Sequence, residues 1–307
     1  MLQDLPGCSL STLGQCWSLR YVTVSHCGLV CLDGLSQCRH LLYVNAEDNL
    51  LEYVDLKDLG SLQVARLARN NLGSVHGLEG CINLRWLDLS HNSITRIGVL
   101  GDATRPPWLL SVHLRAVLVI ADNLLEYIDL KDLGSLQVAR LARNNLGSVH
   151  GLEGCINLRW LDLSHNSITR IGTGLSPLRR LHTLDLSHNQ LVGAQGLEVV
   201  VTCQRLLLDH NYLQAVHCLD KMCLLTELSL AGNNLLKVPE LKNQVLIQTL
   251  NVNENSIKSL EGLACSWLPL LHTLSCEKNL LESCEGLDTL DSLEMLDVGF
   301  NQISGKR

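Results

Sequence analysis

Aromatic residues are scarce in this chain, at 4% of 307 residues with a single phenylalanine. Large globular cores rely on aromatic bulk, so the interior here must be built from one small aliphatic unit used many times. Basic charge is also in deficit, with 24 Lys and Arg against 31 Asp and Glu, a net charge of −7. That excludes the basic stripe that neutralises nucleic-acid phosphates, and it offers nothing to an anionic membrane surface. No basic segment followed by an apolar run opens the chain, so no signal peptide is expected. The most apolar stretch, 108–121, is shorter than the roughly 20 residues of a spanning helix and is interrupted by His113 and Arg115. Thirteen cysteines form no C-x-x-C pair, and their number is odd. They read as free thiols in a reducing, cytoplasmic setting rather than as a disulfide framework. No P-loop, nucleotide-binding glycine motif, H-E-x-x-H or G-x-S-x-G is present. The expectation is no enzyme, no cofactor and no metal.

What the chain does have is leucine at a fixed beat. The pattern L-x-x-L-x-L-x-x-N-x-L fits thirteen times, most clearly from Leu84 through Asn92 to Ile94 and from Leu181 through Asn189 to Leu191. Its register residues are Cys27, Asn49, Asn70, Asn92, Asn123, Asn144, Asn166, Asn189, Asn211, Asn233, Asn255, Asn279 and Asn301. Their spacings lie between 21 and 24 residues except for one of 31. This is the leucine-rich-repeat pattern. It predicts an α/β solenoid of the horseshoe type with about 13 repeats and a parallel concave sheet. The L-x-L leucines point inward and the residues between them outward. The asparagine is expected to turn inward and bond the backbone of the departing loop. The return segment, as in Leu72-Gly-Ser-Val-His-Gly-Leu78-Glu-Gly-Cys81, is too short for a full helix and predicts 3₁₀ or irregular turns on the convex side. Cys16, Cys38, Cys81 and Cys155 share one position there and are expected to fill it as small buried hydrophobes.

Residues 48–98 recur as 122–172 with one difference, Val54 against Ile128. The irregular insert at about 99–114, with Pro106 and Pro107, accounts for the long spacing, and 103–108 is expected to leave the sheet as a loop. A stack whose units contact only their neighbours can absorb such a copy. The chain is therefore read as a single solenoid over 1–307. Neither end shows a cap, which reads as a fragment of a longer protein.

The outward strand positions carry the candidate partner site, running from Tyr21 through Asp209: Tyr21, Tyr43, Arg66, Trp86, Asp88, Arg140, Trp160, Asp162, Asp185 and Asp209. Exposed aromatics and arginines on a rigid sheet are the usual anchors of protein interfaces. His165, His188 and His210 precede their register residues in consecutive repeats and are expected within several ångströms of one another. A flat sheet does not converge three such rings on one ion, so no metal site is assigned.

The 22-residue beat with I-x-x-I-x-G-L resembles the phosphatase-regulator class of leucine-rich repeats. Cys265-Ser-Trp-Leu-Pro-Leu-Leu271, Val238-Pro-Glu-Leu-Lys-Asn-Gln-Val-Leu246 and Leu293-Glu-Met-Leu-Asp-Val-Gly-Phe-Asn301 resemble the repeat domain of the leucine-rich-repeat and IQ-motif-containing family. That resemblance implies calmodulin and a cytoskeletal or ciliary setting for full-length members, but through IQ motifs that this sequence does not carry. The expected function is a non-enzymatic scaffold holding a protein partner on its concave face. Two alternatives are a regulatory subunit of a serine/threonine phosphatase and an architectural spacer in a larger calmodulin-linked protein.

Overall fold

Every occurrence of the repeat pattern produces the same short strand, because two inward aliphatic side chains flanking one outward residue suit a pleated, half-buried surface. A computed structural model of the chain describes residues 10–97 and 116–304. Two compact units divide it: Met1–Leu146 with His150–Leu158, and Gly147–Val149 with Arg159–Arg307. The insert and its expected loop at 103–108 lie outside the described residues.

In the first unit, β1 (Tyr21–Thr23), β2 (Tyr43–Asn45), β3 (Val64–Arg66), β4 (Trp86–Asp88), β6 (Ala116–Val119) and β8 (Leu136–Arg140) pair in parallel in that order. A second, two-stranded ladder joins β5 (Arg96–Ile97) to β7 (Tyr127–Ile128). The second unit stacks β9 (Trp160–Asp162), β10 (Thr183–Asp185), β11 (Arg205–Leu207), β12 (Glu227–Ser229), β13 (Thr249–Asn251), β14 (Thr273–Ser275) and β15 (Met295–Asp297), again parallel and in sequence order. Each unit is thus a parallel-sheet leucine-rich-repeat solenoid. Among the described residues the return segments hold 3₁₀ turns at Ser11–Gln15, Leu35–Gln37 and Leu197–Val199, one α-turn at Glu261–Ala264, the short β5 and β7 strands, and otherwise irregular backbone, in line with the sequence reading.

The asparagine column is the main polar element of the interior. Asn211 shows its bonding: its Oδ1 accepts from Leu191 N at 3.0 Å, and its Nδ2 donates to Leu186 O and Leu208 O, each at 3.0 Å. One side chain therefore ties three segments of neighbouring coils together and leaves no orphaned amide. A second tie runs along the return side. The thiols of Cys38, Cys81 and Cys155 donate to Leu13 O, Leu56 O and Leu130 O in the preceding coil, at 3.1 to 3.2 Å. Burial pushes Cys81 and Cys155 up to about 12, so these thiols stay protonated and inert. Cys16 departs from the expectation and is exposed. It sits in the first described coil, with no earlier described coil against it.

Candidate protein-binding face

The outward strand positions place most of the sequence-nominated residues as expected, within their own units. In the first unit Tyr21 and Arg66 are exposed, and Tyr43, Trp86 and Asp88 are half-buried. Arg140 is exposed at the end of β8. In the second unit Trp160 is 40% exposed, and Asp162 and Asp185 are half-buried register partners on β9 and β10. Asp209 differs. It lies two residues past β11, in the turn, where its Oδ1 accepts from Ser229 Oγ at 2.5 Å and Ala231 N at 2.7 Å. In this coil Leu207 occupies the strand position that Asp162 and Asp185 hold in theirs, because the repeat keeps its register by position and not by residue type.

The strand carboxylates have a task that sequence reading missed. Asp88, Asp162 and Asp185 each accept, through Oδ1, the backbone N–H two residues ahead, at 3.0, 3.0 and 2.9 Å. Asn45 and Asn251 make the same bond at 3.0 and 3.1 Å. This Asx turn closes the strand as the chain swings toward the buried asparagine. Only the second carboxylate oxygen remains to meet a partner. Burial, followed by the like charges of Asp162 and Asp209, raises the Asp185 carboxyl above its ordinary range, against the pull of its bonds to Ser187.

The residue just before each register position forms a further column, and every described member has a left-handed backbone with φ between 51° and 64°. L-residues enter that region at a cost of about 1 kcal/mol or more. The turn imposes it here in coil after coil. In the first unit the column runs His-Asp-Arg twice. His26 Nε2 lies 3.4 Å and Arg69 Nη1 3.6 Å from Asp48 Oδ2. His91 Nε2 lies 3.6 Å from Asp122 Oδ2, and Arg143 Nε 3.9 Å from Asp122 Oδ1. In the second unit the same column begins His165, His188, His210. Their rings stack with centroids 4.1 and 4.3 Å apart and planes 8° and 20° from parallel. Reading the residue before each asparagine down the repeats would have revealed the His-Asp-Arg order. The ion pairs themselves join residues 21 to 31 positions apart and need the coil geometry.

Among the described residues no group of three His, Cys, Asp or Glu side chains is arranged to hold a metal ion, and no helix is long and apolar enough to cross a membrane.

Leucine-rich-repeat family models match residues 135–191 and 83–102. The human Leucine-rich repeat- and IQ domain-containing protein 1 is 34% identical over 314 aligned positions, covering 98% of this chain but 17% of that protein. Bovine Leucine-rich repeat-containing protein 23 is 32% identical over 239 positions, covering 75% of this chain and 66% of the relative. A solved leucine-rich-repeat protein of Leptospira interrogans superposes with a TM-score of 0.75 at 23% identity, over 96% of this chain and 81% of that one, a likeness of fold alone. This chain therefore spans less than a fifth of the length of its human relative. Leucine-rich-repeat proteins generally mediate protein-protein interaction, and this chain is a leucine-rich-repeat protein whose coils are similar to the repeat domain of the Leucine-rich repeat- and IQ domain-containing protein 1.

Proposed function

We propose that the chain is a non-enzymatic adaptor that holds a protein partner on its outward strand faces. Trp160 carries this reading. A three-residue strand presents its large indole at 40% exposure on the outward face. Tryptophan, tyrosine and arginine held on a rigid scaffold lose little entropy on binding and dominate interface energies. Tyr21, Tyr43, Trp86, Arg66 and Arg140 extend the same chemistry across the first unit. Asp162 and Asp185 add free carboxylate oxygens beside Trp160. The buried thiol donors Cys38, Cys81 and Cys155 support a reducing, cytoplasmic setting, since their packing requires the reduced form.

The test begins with proximity labelling in cells to recover a partner, followed by titration of that partner against the wild-type chain and Trp160→Ala. The substitution is expected to weaken affinity by about 2 kcal/mol, or roughly 30-fold. An unchanged affinity would remove Trp160 from the interface and with it the observation on which this reading stands.

A further inference from the structure

The left-handed column supplies carboxylates to its histidines in the first unit and none, among the described residues, to the three that open the second. His26 and His91 each face a carboxylate from the next coil, Asp48 and Asp122, at 3.4 and 3.6 Å. His165, His188 and His210 have imidazoles above and below instead. Among the described residues none of the three is joined to a carboxylate within ion-pair distance. Stacking occupies both faces of the middle ring, so the ring edge, which bears the nitrogens, is what His188 offers to solvent. His188 and His210 are exposed and His165 is half-buried. The stack ends on bare backbone. The next rung is Gly232, where a Cβ would come within van der Waals overlap, 2.4 Å, of His210 Nδ1.

We infer that the stacked imidazoles of His165, His188 and His210 dock an acidic segment of a partner protein, and that the segment binds with uptake of protons. This rests on the adaptor reading and names the chemistry of part of its surface. Charge complementarity supports it: the first unit already shows what an imidazole at this rung accepts when the sequence supplies it, a carboxylate. The carboxylates that face the stack each hold a bond of their own. Asp162 and Asp185 are held through Oδ1 by Ser164 N and Ser187 N, and Asp209 by Ser229 Oγ and Ala231 N. Beyond Gly232, Glu254 is bound to Lys278 Nζ at 2.7 Å. These carboxylates set the local field without reaching the ring nitrogens.

The pH dependence follows from the same contacts. Burial, then the neighbouring rings of His165 and His210, hold the middle imidazole below its ordinary range, while Asp209 and Asp185 pull the other way. The middle ring is therefore largely neutral at pH 7.5. A carboxylate brought to the ring edges favours the imidazolium form, so bound protein takes up protons and affinity rises as pH falls through the imidazole range.

The experiment uses the full chain and a fluorescein-labelled hexaglutamate peptide, read by fluorescence anisotropy at pH 5.8 and 7.8. The peptide's own carboxylates stay mostly ionised at both values. Binding at least tenfold tighter at pH 5.8 is expected. The triple variant His165→Asn, His188→Asn, His210→Asn should lose that difference, since asparagine tolerates the left-handed backbone. His26→Asn with His91→Asn should retain it. Affinities within twofold at the two pH values would overturn the inference. So would a triple variant that keeps the pH dependence, or tighter binding of a hexalysine peptide at both pH values. Retained sensitivity of the recovered partner to Trp160→Ala, together with an indifferent hexaglutamate titration, would sink this inference and leave the adaptor reading standing.

Discussion

The two copies of one 51-residue sequence, 48–98 and 122–172, form the same coils and present different surfaces. Inside they are nearly superimposable in chemistry. Asn70 takes Leu51 N at 3.0 Å and donates to Ala46 O and Leu67 O, while Asn144 takes Leu125 N at 3.1 Å and donates to Ile120 O and Leu141 O. The thiols of Cys81 and Cys155 donate to equivalent carbonyls at 3.2 Å. Outside they diverge. Trp86 is half-buried, beside Val117 of β6, and its Nε1 has no hydrogen-bond partner among the described residues. Its copy, Trp160, lies beside Thr183 of β10 and is 40% exposed. Arg96–Ile97 pairs with Tyr127–Ile128 as strands, whereas their counterparts 170–171 and 53–54 form none. The interior of a coil is thus a local property, and its surface belongs to its neighbours.

The largest expected effect tests the first half of that contrast. Asn70→Ala and Asn144→Ala each remove two bonds to buried backbone carbonyls and the acceptor of one buried N–H, and each is expected to cost about 3 kcal/mol in chemical denaturation. The two losses should agree within about 0.5 kcal/mol. A gap much wider than that would mean that the copied interiors are not equivalent. The second half is tested by the tryptophans. Trp86→Ala should destabilise by about 1 kcal/mol more than Trp160→Ala, because more of its ring leaves water on folding. Equal losses would erase the difference between the two faces.

The smallest effect extends the comparison along the left-handed column. His188 is held below its ordinary range in the folded chain, so as pH falls the unfolded chain takes up its proton first. The corresponding stability is present above about pH 6.5 and is lost as pH drops from there toward the lower folded value. Because His188 is largely solvated, that loss stays below about 1 kcal/mol. Denaturation midpoints at pH 7.5 and 5.5 should show it, and His188→Asn should flatten the difference. A slope unchanged by the substitution would place the titrating group elsewhere.

Much of the fold was legible because each coil repeats one local rule. Leu84, Leu87 and Leu89 mark a buried face at strand spacing, and Asn92 marks the inward turn. The outward face was legible as a set of positions, and Trp160 and Arg66 stand where the alternation puts them. Asp209 was misplaced because its coil carries leucine at the expected acidic position, so residue type misled where register would not. The Asx-turn role of Asp88, Asp162 and Asp185 was hidden because an outward carboxylate on a strand looks the same whether it faces water or caps its own backbone.

By itself the sequence determined the period, the inward leucines, the asparagine column and the irregular return, since all of these depend on residues a few positions apart. Tertiary structure alone decided which of two identical tryptophans faces water, where the cysteine thiols find carbonyls, and that one stretch of the left-handed column pairs charges while another stacks rings. Those contacts join residues about one coil apart in sequence, and a coil brings them within bonding distance only once its neighbours have set the spacing.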